Sequence, residues 1–113
     1  MRIAASLERV LARLWGPRAR LLGDDLYEVT FRYRANRPVR TVSVAGSFNN
    51  WDPATHPMLG PDEDGRFTLR LPLRQGTYPY KFVLDGHTWL ADPENVHRAG
   101  PSQDSVLFVG VAP

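Results

Sequence analysis

The sequence predicts an all-β domain, an antiparallel sandwich or small barrel, with a short amphipathic helix ahead of it. Three observations predict this. Apolar residues recur at every second position in several short runs after residue 26, polar turn clusters separate those runs, and the opening segment repeats with a helical period instead. Alternation at period two is the mark of a half-buried strand, because successive side chains point to opposite faces of a sheet.

The helix comes first. Ile3, Leu7, Val10, Leu11 and Leu14 share one stripe of a helical wheel, Arg2, Arg9 and Arg13 lie largely away from it, and Gly16-Pro17 ends it. So short a helix is marginal alone and its stripe needs a surface to cover. The sandwich itself, a second copy of the chain, or a partner protein would serve. The strands follow. Tyr27, Val29, Phe31 and Tyr33 alternate with polar residues, and Val39 to Ala45 forms a β-rich second run. Phe67 to Leu73 and Tyr78 to Leu84 alternate cleanly, and Thr88 to Leu90 and Ser105 to Val109 complete the set. Pro72 and Pro79 lack the N–H that a central ladder needs, so each is expected at an edge or a strand end. Asn36 to Pro38, Asp62 to Gly65, Gln75-Gly76 and Asp85-Gly86 supply the turns. The expected division is a helix and linker over 1–20 and a sandwich over 21–113.

At 113 residues the chain suits one domain with a modest core, and its apolar content is 42%. No apolar run approaches the length of a membrane span. The opening segment has no apolar core or cleavage site of a signal peptide, and the chain has no cysteine. A cytoplasmic location is the expectation. Residues 1–20 carry five arginines against Glu8, a net of +4, and the remainder carries nine basic and eleven acidic residues, a net of −2. A nucleic-acid domain shows a concentrated basic face; an excess confined to the leading segment reads as a solvated helix face, so neither nucleic acid nor membrane is expected as a partner.

Catalysis is not expected either. Glycoside hydrolysis needs two carboxylates across a cleft, whereas Asp24-Asp25, Asp62-Glu63-Asp64, Asp92 and Glu94 fall mainly in turns. His56, His87 and His97 are too dispersed for a zinc pattern, there is no phosphate loop and no nucleophile elbow, and no cofactor is implied.

Three features stand out from the core pattern. Gly46-Ser47-Phe48-Asn49-Asn50-Trp51-Asp52-Pro53 is turn-rich and carries a large aromatic near its end; Lys81 has the polar parity of its strand; Trp89 stands between the Asp85-Gly86 turn and Asp92-Pro93. Phe48 reads as core, and Lys81 alone reads as a solvated lysine. Trp51 and Trp89, taken singly, suit the end of a core as well as a binding surface. Two tryptophans in loops beside amides and acids point to a polar ligand. A pyranose ring offers a C–H face to flat indoles and hydroxyls to Asn, Asp and Lys.

Residues 27 to 109 resemble the starch- and glycogen-binding domain of carbohydrate-binding module family 48. That family includes the glycogen-binding domain of the AMP-activated protein kinase β subunit and the N-terminal modules of isoamylases and glycogen branching enzymes. Four blocks carry the likeness: Val44 to Trp51, Gly76 to Gly86, Trp89 to Pro93, and Asp104 to Leu107. The resemblance implies an immunoglobulin-like, early-set β-sandwich that binds α-1,4-linked glucan such as glycogen, starch or a maltooligosaccharide. It implies stacking by Trp51 and Trp89 and a hydroxyl contact from Lys81. Asp104 takes the place of a family asparagine, and as a carboxylate it accepts but does not donate. Asn50 and His87, beside the two tryptophans, are further candidates, and no metal ligand is expected. The competing expectation is a protein-interaction or regulatory scaffold domain with weak or no carbohydrate binding. The helix would then hold a glycogen-metabolising enzyme or a second copy.

Overall fold

A computed structural model describes residues 16–113. The amphipathic helix expected over the opening segment lies outside the described residues. Within them the chain runs β1 (Arg18–Gly23), β2 (Leu26–Arg34), β3 (Val42–Gly46), a 3₁₀ turn (Ser47–Asn49), β4 (Arg66–Arg74), β5 (Gly76–Leu84), β6 (Thr88–Leu90), β7 (Arg98–Ala99) and β8 (Asp104–Val109). Every expected run contains a strand, although the run from Val39 to Ala45 pairs only from Val42 onward. β1 crosses the expected boundary at 20/21. All six of its residues are exposed, so it has no inward parity to read.

Two antiparallel sheets face each other. One has the order β1-β2-β4; the other has the order β3-β5-β8-β7, with β6 also paired to β5. β3 pairs with β5 over Tyr80 to Leu84, whereas β8 pairs over Gly76 to Tyr80 and β6 over Phe82 to Leu84. β8 and β6 therefore follow one another along the same edge of β5. This is an all-β antiparallel sandwich of the immunoglobulin-like type.

The alternation seen in the sequence sets the core. Val29, Phe31 and Tyr33 of β2 and Phe67 of β4 meet Val42 and Val44 of β3, Tyr80, Phe82 and Leu84 of β5, and Leu107 and Val109 of β8. Phe31 meets Tyr80 edge-on at 5.2 Å between ring centroids, a favoured aromatic geometry. Phe48 is half-buried and packs against this cluster, 5.8 Å from Phe31. Pro72 lies on β4, at the edge of its sheet. Pro79 lies on an interior strand, one residue beyond the last β3–β5 pair, Gly46 with Tyr80, so its missing N–H breaks no bond in that ladder.

Asp85 and Gly86 turn β5 into β6 with φ of 51° and 79°, and His87 N donates to Leu84 O at 3.1 Å. Two successive positive φ values mark the tight turn that suits the twist of a hairpin, and Asp-Gly supplies them. Gly16, with φ 67°, is buried against Asn95, where a Cβ would stand 2.8 Å from the Asn95 Cβ. The chain thus enters β1 by way of the loop after β6.

Candidate functional site

The outer face of the five-stranded sheet assembles the site by register. Tyr80, Phe82 and Leu84 point inward, so Lys81 and Val83 point outward. Lys81 stands opposite Ala45 on β3, and Val83 opposite Trp89 on β6. The β5–β8 ladder ends at Tyr80 with Ser105, so the next step places Asp104 beside Lys81. Residues 81, 89 and 104 meet because three strands align, despite their separation along the chain.

Trp51 reaches the same face from the loop after β3. Gly46 O accepts from Trp51 N at 2.9 Å, and the Asn49 side chain ties the loop down. Asn49 Oδ1 accepts from Gly46 N at 3.0 Å, and its Nδ2 donates to Val44 O at 2.9 Å and to His56 Nδ1 at 2.8 Å. Asp52 accepts from Ala54 N and Thr55 Oγ1, at 2.9 and 2.8 Å, and these donors hold its carboxyl below the usual range. Asn50 and Trp51 both take left-handed backbone conformations, φ 56° and 58°. For a residue as bulky as tryptophan this is an outlier that the surrounding bonds must sustain.

Trp51, Lys81, Trp89, Ser102 and Asp104 line one shallow depression of about 280 Å³. Pockets that enclose a drug-sized ligand hold roughly 300–1,000 Å³, so this is a surface to lie across rather than a cavity to enter. Trp89 is 44% exposed. Lys81 Nζ donates to Ser102 O at 2.8 Å and lies 3.5 Å from Asp104 Oδ1. Ser102 Oγ donates to the same carboxylate oxygen at 3.1 Å. Asp104 therefore spends one oxygen inside the site and keeps Oδ2 without a hydrogen bond among the described residues.

Of the six residues expected from the sequence, the structure brings Trp51, Lys81, Trp89 and Asp104 together. Asn50 and His87 are exposed next to the tryptophan loops and do not line the depression. His87 Nδ1 instead meets Thr88 Oγ1 at 3.1 Å. Ser102 was not foreseen; its only signal is its place two residues before Asp104.

Beneath the site runs a buried polar knot. Tyr80 OH donates to Asp92 Oδ2 at 2.6 Å, Asn95 Nδ2 donates to Tyr80 OH at 3.1 Å, and Asp92 N donates to Ser105 Oγ at 2.7 Å. Arg98 closes it with bonds to the carbonyls of Asp92 and Asn95. Burial raises the Asp92 carboxyl above its usual range and pushes the Tyr80 phenol well above its own. Tyr80 adjoins Lys81 and Ser105 adjoins Asp104. Asp92 follows Trp89 by three residues, so one knot anchors three of the lining residues.

A sandwich that offers two indoles beside a lysine–carboxylate pair on an open sheet face defines a carbohydrate-recognition module. Among the described residues no group of three or more His, Cys, Asp or Glu could hold a metal ion, and no helix is long and apolar enough to cross a membrane. The family profile for the glycogen recognition site of AMP-activated protein kinase matches residues 27–109. The chain belongs to that family, the carbohydrate-binding module 48 type, and is a non-catalytic glucan-binding module.

Among curated relatives, a 1,4-alpha-glucan branching enzyme (GlgB) of Ralstonia nicotianae is 41% identical over 90 residues, which is 74% of this chain and 11% of that protein. The chloroplastic PTST homolog 2 of Arabidopsis thaliana is 28% identical over 102 residues, 80% of this chain and 19% of that protein. The chain thus spans between a tenth and a fifth of these two relatives. The enterobactin esterase FES of Shigella flexneri, a solved structure, aligns with a TM-score of 0.71 over 87% of this chain and 34% of its own, at 18% identity. At that identity the likeness speaks for the fold alone.

Proposed function

We propose that this module binds α-1,4-linked glucan across the depression, with Trp51 and Trp89 stacked on sugar faces and Lys81 and Asp104 on hydroxyls. One observation carries the reading: two indoles and a charged pair line a single open surface. Lys81 uses one donor on Ser102 O, which leaves others for sugar oxygens. Asp104 Oδ2 accepts. Asn50 and His87, exposed beside the indoles, serve hydroxyls of units beyond the depression.

Covering a few tens of Å² of each indole contributes about 1 kcal/mol. After the costs of association this leaves weak binding, of micromolar to millimolar order. Weak sites suit a polymer that offers the same unit many times. By likeness to the branching enzymes, we further propose that the module delivers a glycogen-metabolising activity to its polymer.

Titration with maltoheptaose, followed by tryptophan emission, tests the reading together with retardation in a glycogen-containing native gel. Both signals are expected for the wild type, and Trp51→Ala should abolish most of each with the fold intact. A wild type that migrates unretarded, or a variant retarded like the wild type, would overturn the assignment.

A further inference from the structure

The register of the three-stranded sheet turns Val29, Phe31, Tyr33 and their β4 partners inward, so the alternate residues face out on the side opposite the tryptophans. Arg18 and Arg20 of β1 and Arg32 and Arg34 of β2 face this way. Arg66, Arg70 and Arg74 of β4 join them, so seven guanidinium groups share a face with Glu28, the one carboxylate borne by the three strands, while Asp25 pairs with Arg74 from the turn between β1 and β2. The fold does not require this. Arg34 stands directly opposite Arg66, a like-charge pairing that weakens a sheet, with Asp62 at the rim as an opposite charge felt by both. Among the described residues Arg32 Nε is out of solvent with no hydrogen-bond partner. Both features cost stability.

We propose that this arginine face docks the acidic surface of a separate folded protein while the opposite face stays open to glucan. The face already shows how it holds carboxylates: Arg20 lies 3.3 Å from Glu28, and Arg74 lies 2.8 Å from Asp25. Every cation on it is arginine, whose planar fork matches a carboxylate with two parallel bonds. Residues 1–15 do not suit as the occupant, since Arg2, Arg9 and Arg13 outweigh Glu8. A second copy would bring the same arginines face to face. A nucleic-acid strand is disfavoured too. No aromatic side chain stands among the outward residues of the three strands to stack a base, and the charges spread over a plane rather than follow a line.

The test uses the full chain and two probes, immobilised poly-L-glutamate and a single-stranded DNA oligonucleotide, at low salt. The wild type should bind poly-L-glutamate and release it as salt rises. The triple variant Arg18→Gln/Arg66→Gln/Arg70→Gln, at three exposed positions, should lose about tenfold in affinity. Arg2→Gln/Arg9→Gln/Arg13→Gln should lose less than about twofold. Near-ultraviolet circular dichroism and the melting temperature report whether each variant keeps its fold, and Arg34→Gln/Arg74→Gln substitutes for the first triple should that one unfold. Equal binding by wild type and face variant would overturn the proposal, as would a loss confined to the opening-segment variant. Tighter arginine-dependent binding of the oligonucleotide would reassign the face to nucleic acid.

Discussion

Tyr80 donates a 2.6 Å hydrogen bond to Asp92, and both residues are sealed from solvent. The pair sits directly under the face that carries the depression, so the knot that stabilises the fold also sets the heights of Lys81, Trp89 and Asp104. Tyr80→Phe keeps the ring and removes the donor. The Asp92 oxygen is then buried with nothing to accept, at a cost of about 1–3 kcal/mol. Urea denaturation should show a lower midpoint with an unchanged slope.

Asp92 also sets a pH dependence. Burial raises its carboxyl above the ordinary aspartate value of 3.8, so the folded state prefers the protonated form. The stability this contributes is fully present below 3.8 and is lost as pH rises through the raised folded value. Asp92→Asn has no such proton to lose. The stability of the wild type relative to Asp92→Asn should therefore fall across that acidic window and then level off. Asp52, Asp62 and Asp85 act in the opposite sense: backbone and side-chain donors lower their pKa, and their contribution is lost as pH falls below 3.8. A series of chemical denaturations from pH 3 upward, roughly in half-unit steps, separates the two signs.

The left-handed backbone at Trp51 makes its replacements unequal. Trp51→Ala and Trp51→Gly should both lose glucan binding, by about fivefold for about 1 kcal/mol of lost stacking. Glycine occupies φ of 58° without strain and alanine does not. Trp51→Gly should therefore be the more stable variant by about 1 kcal/mol, read from thermal or urea unfolding.

Asp104→Asn exchanges an acceptor for an amide and releases Lys81 from its 3.5 Å ion pair. A pair at the surface is worth no more than about 1 kcal/mol, so stability should change little. Affinity for maltoheptaose should rise about twofold or more, because the site gains a donor and a less neutralised ammonium. Isothermal titration of both proteins checks this.

Much of the fold was legible because its strands bury one face. Phe31, Phe67 and Phe82 alternate with polar residues, and that pattern needs no tertiary context to read. β1 and β7 were hidden for the opposite reason: β1 buries no residue and β7 has only two. The site divides in the same way. Trp51, Lys81 and Trp89 stood out as residues the core pattern did not need. Asn49 and Asn50 looked alike in sequence, yet one ties the loop with three bonds and the other is exposed. Only the turn geometry separates them. Ser102 enters because its carbonyl happens to meet Lys81, a contact that depends on how the loop before β8 returns.

Lys81 is the only lysine among the fourteen basic residues of the chain. Apart from the α-amino group, a primary amine therefore exists only in the depression. Amine-directed chemistry is thereby addressed to that surface: an aldehyde-bearing sugar fixed by borohydride, or an acylating dye, would mark one side chain. A bound polymer would shield it. The chain thus carries its own covalent reporter of occupancy, with no engineered residue needed.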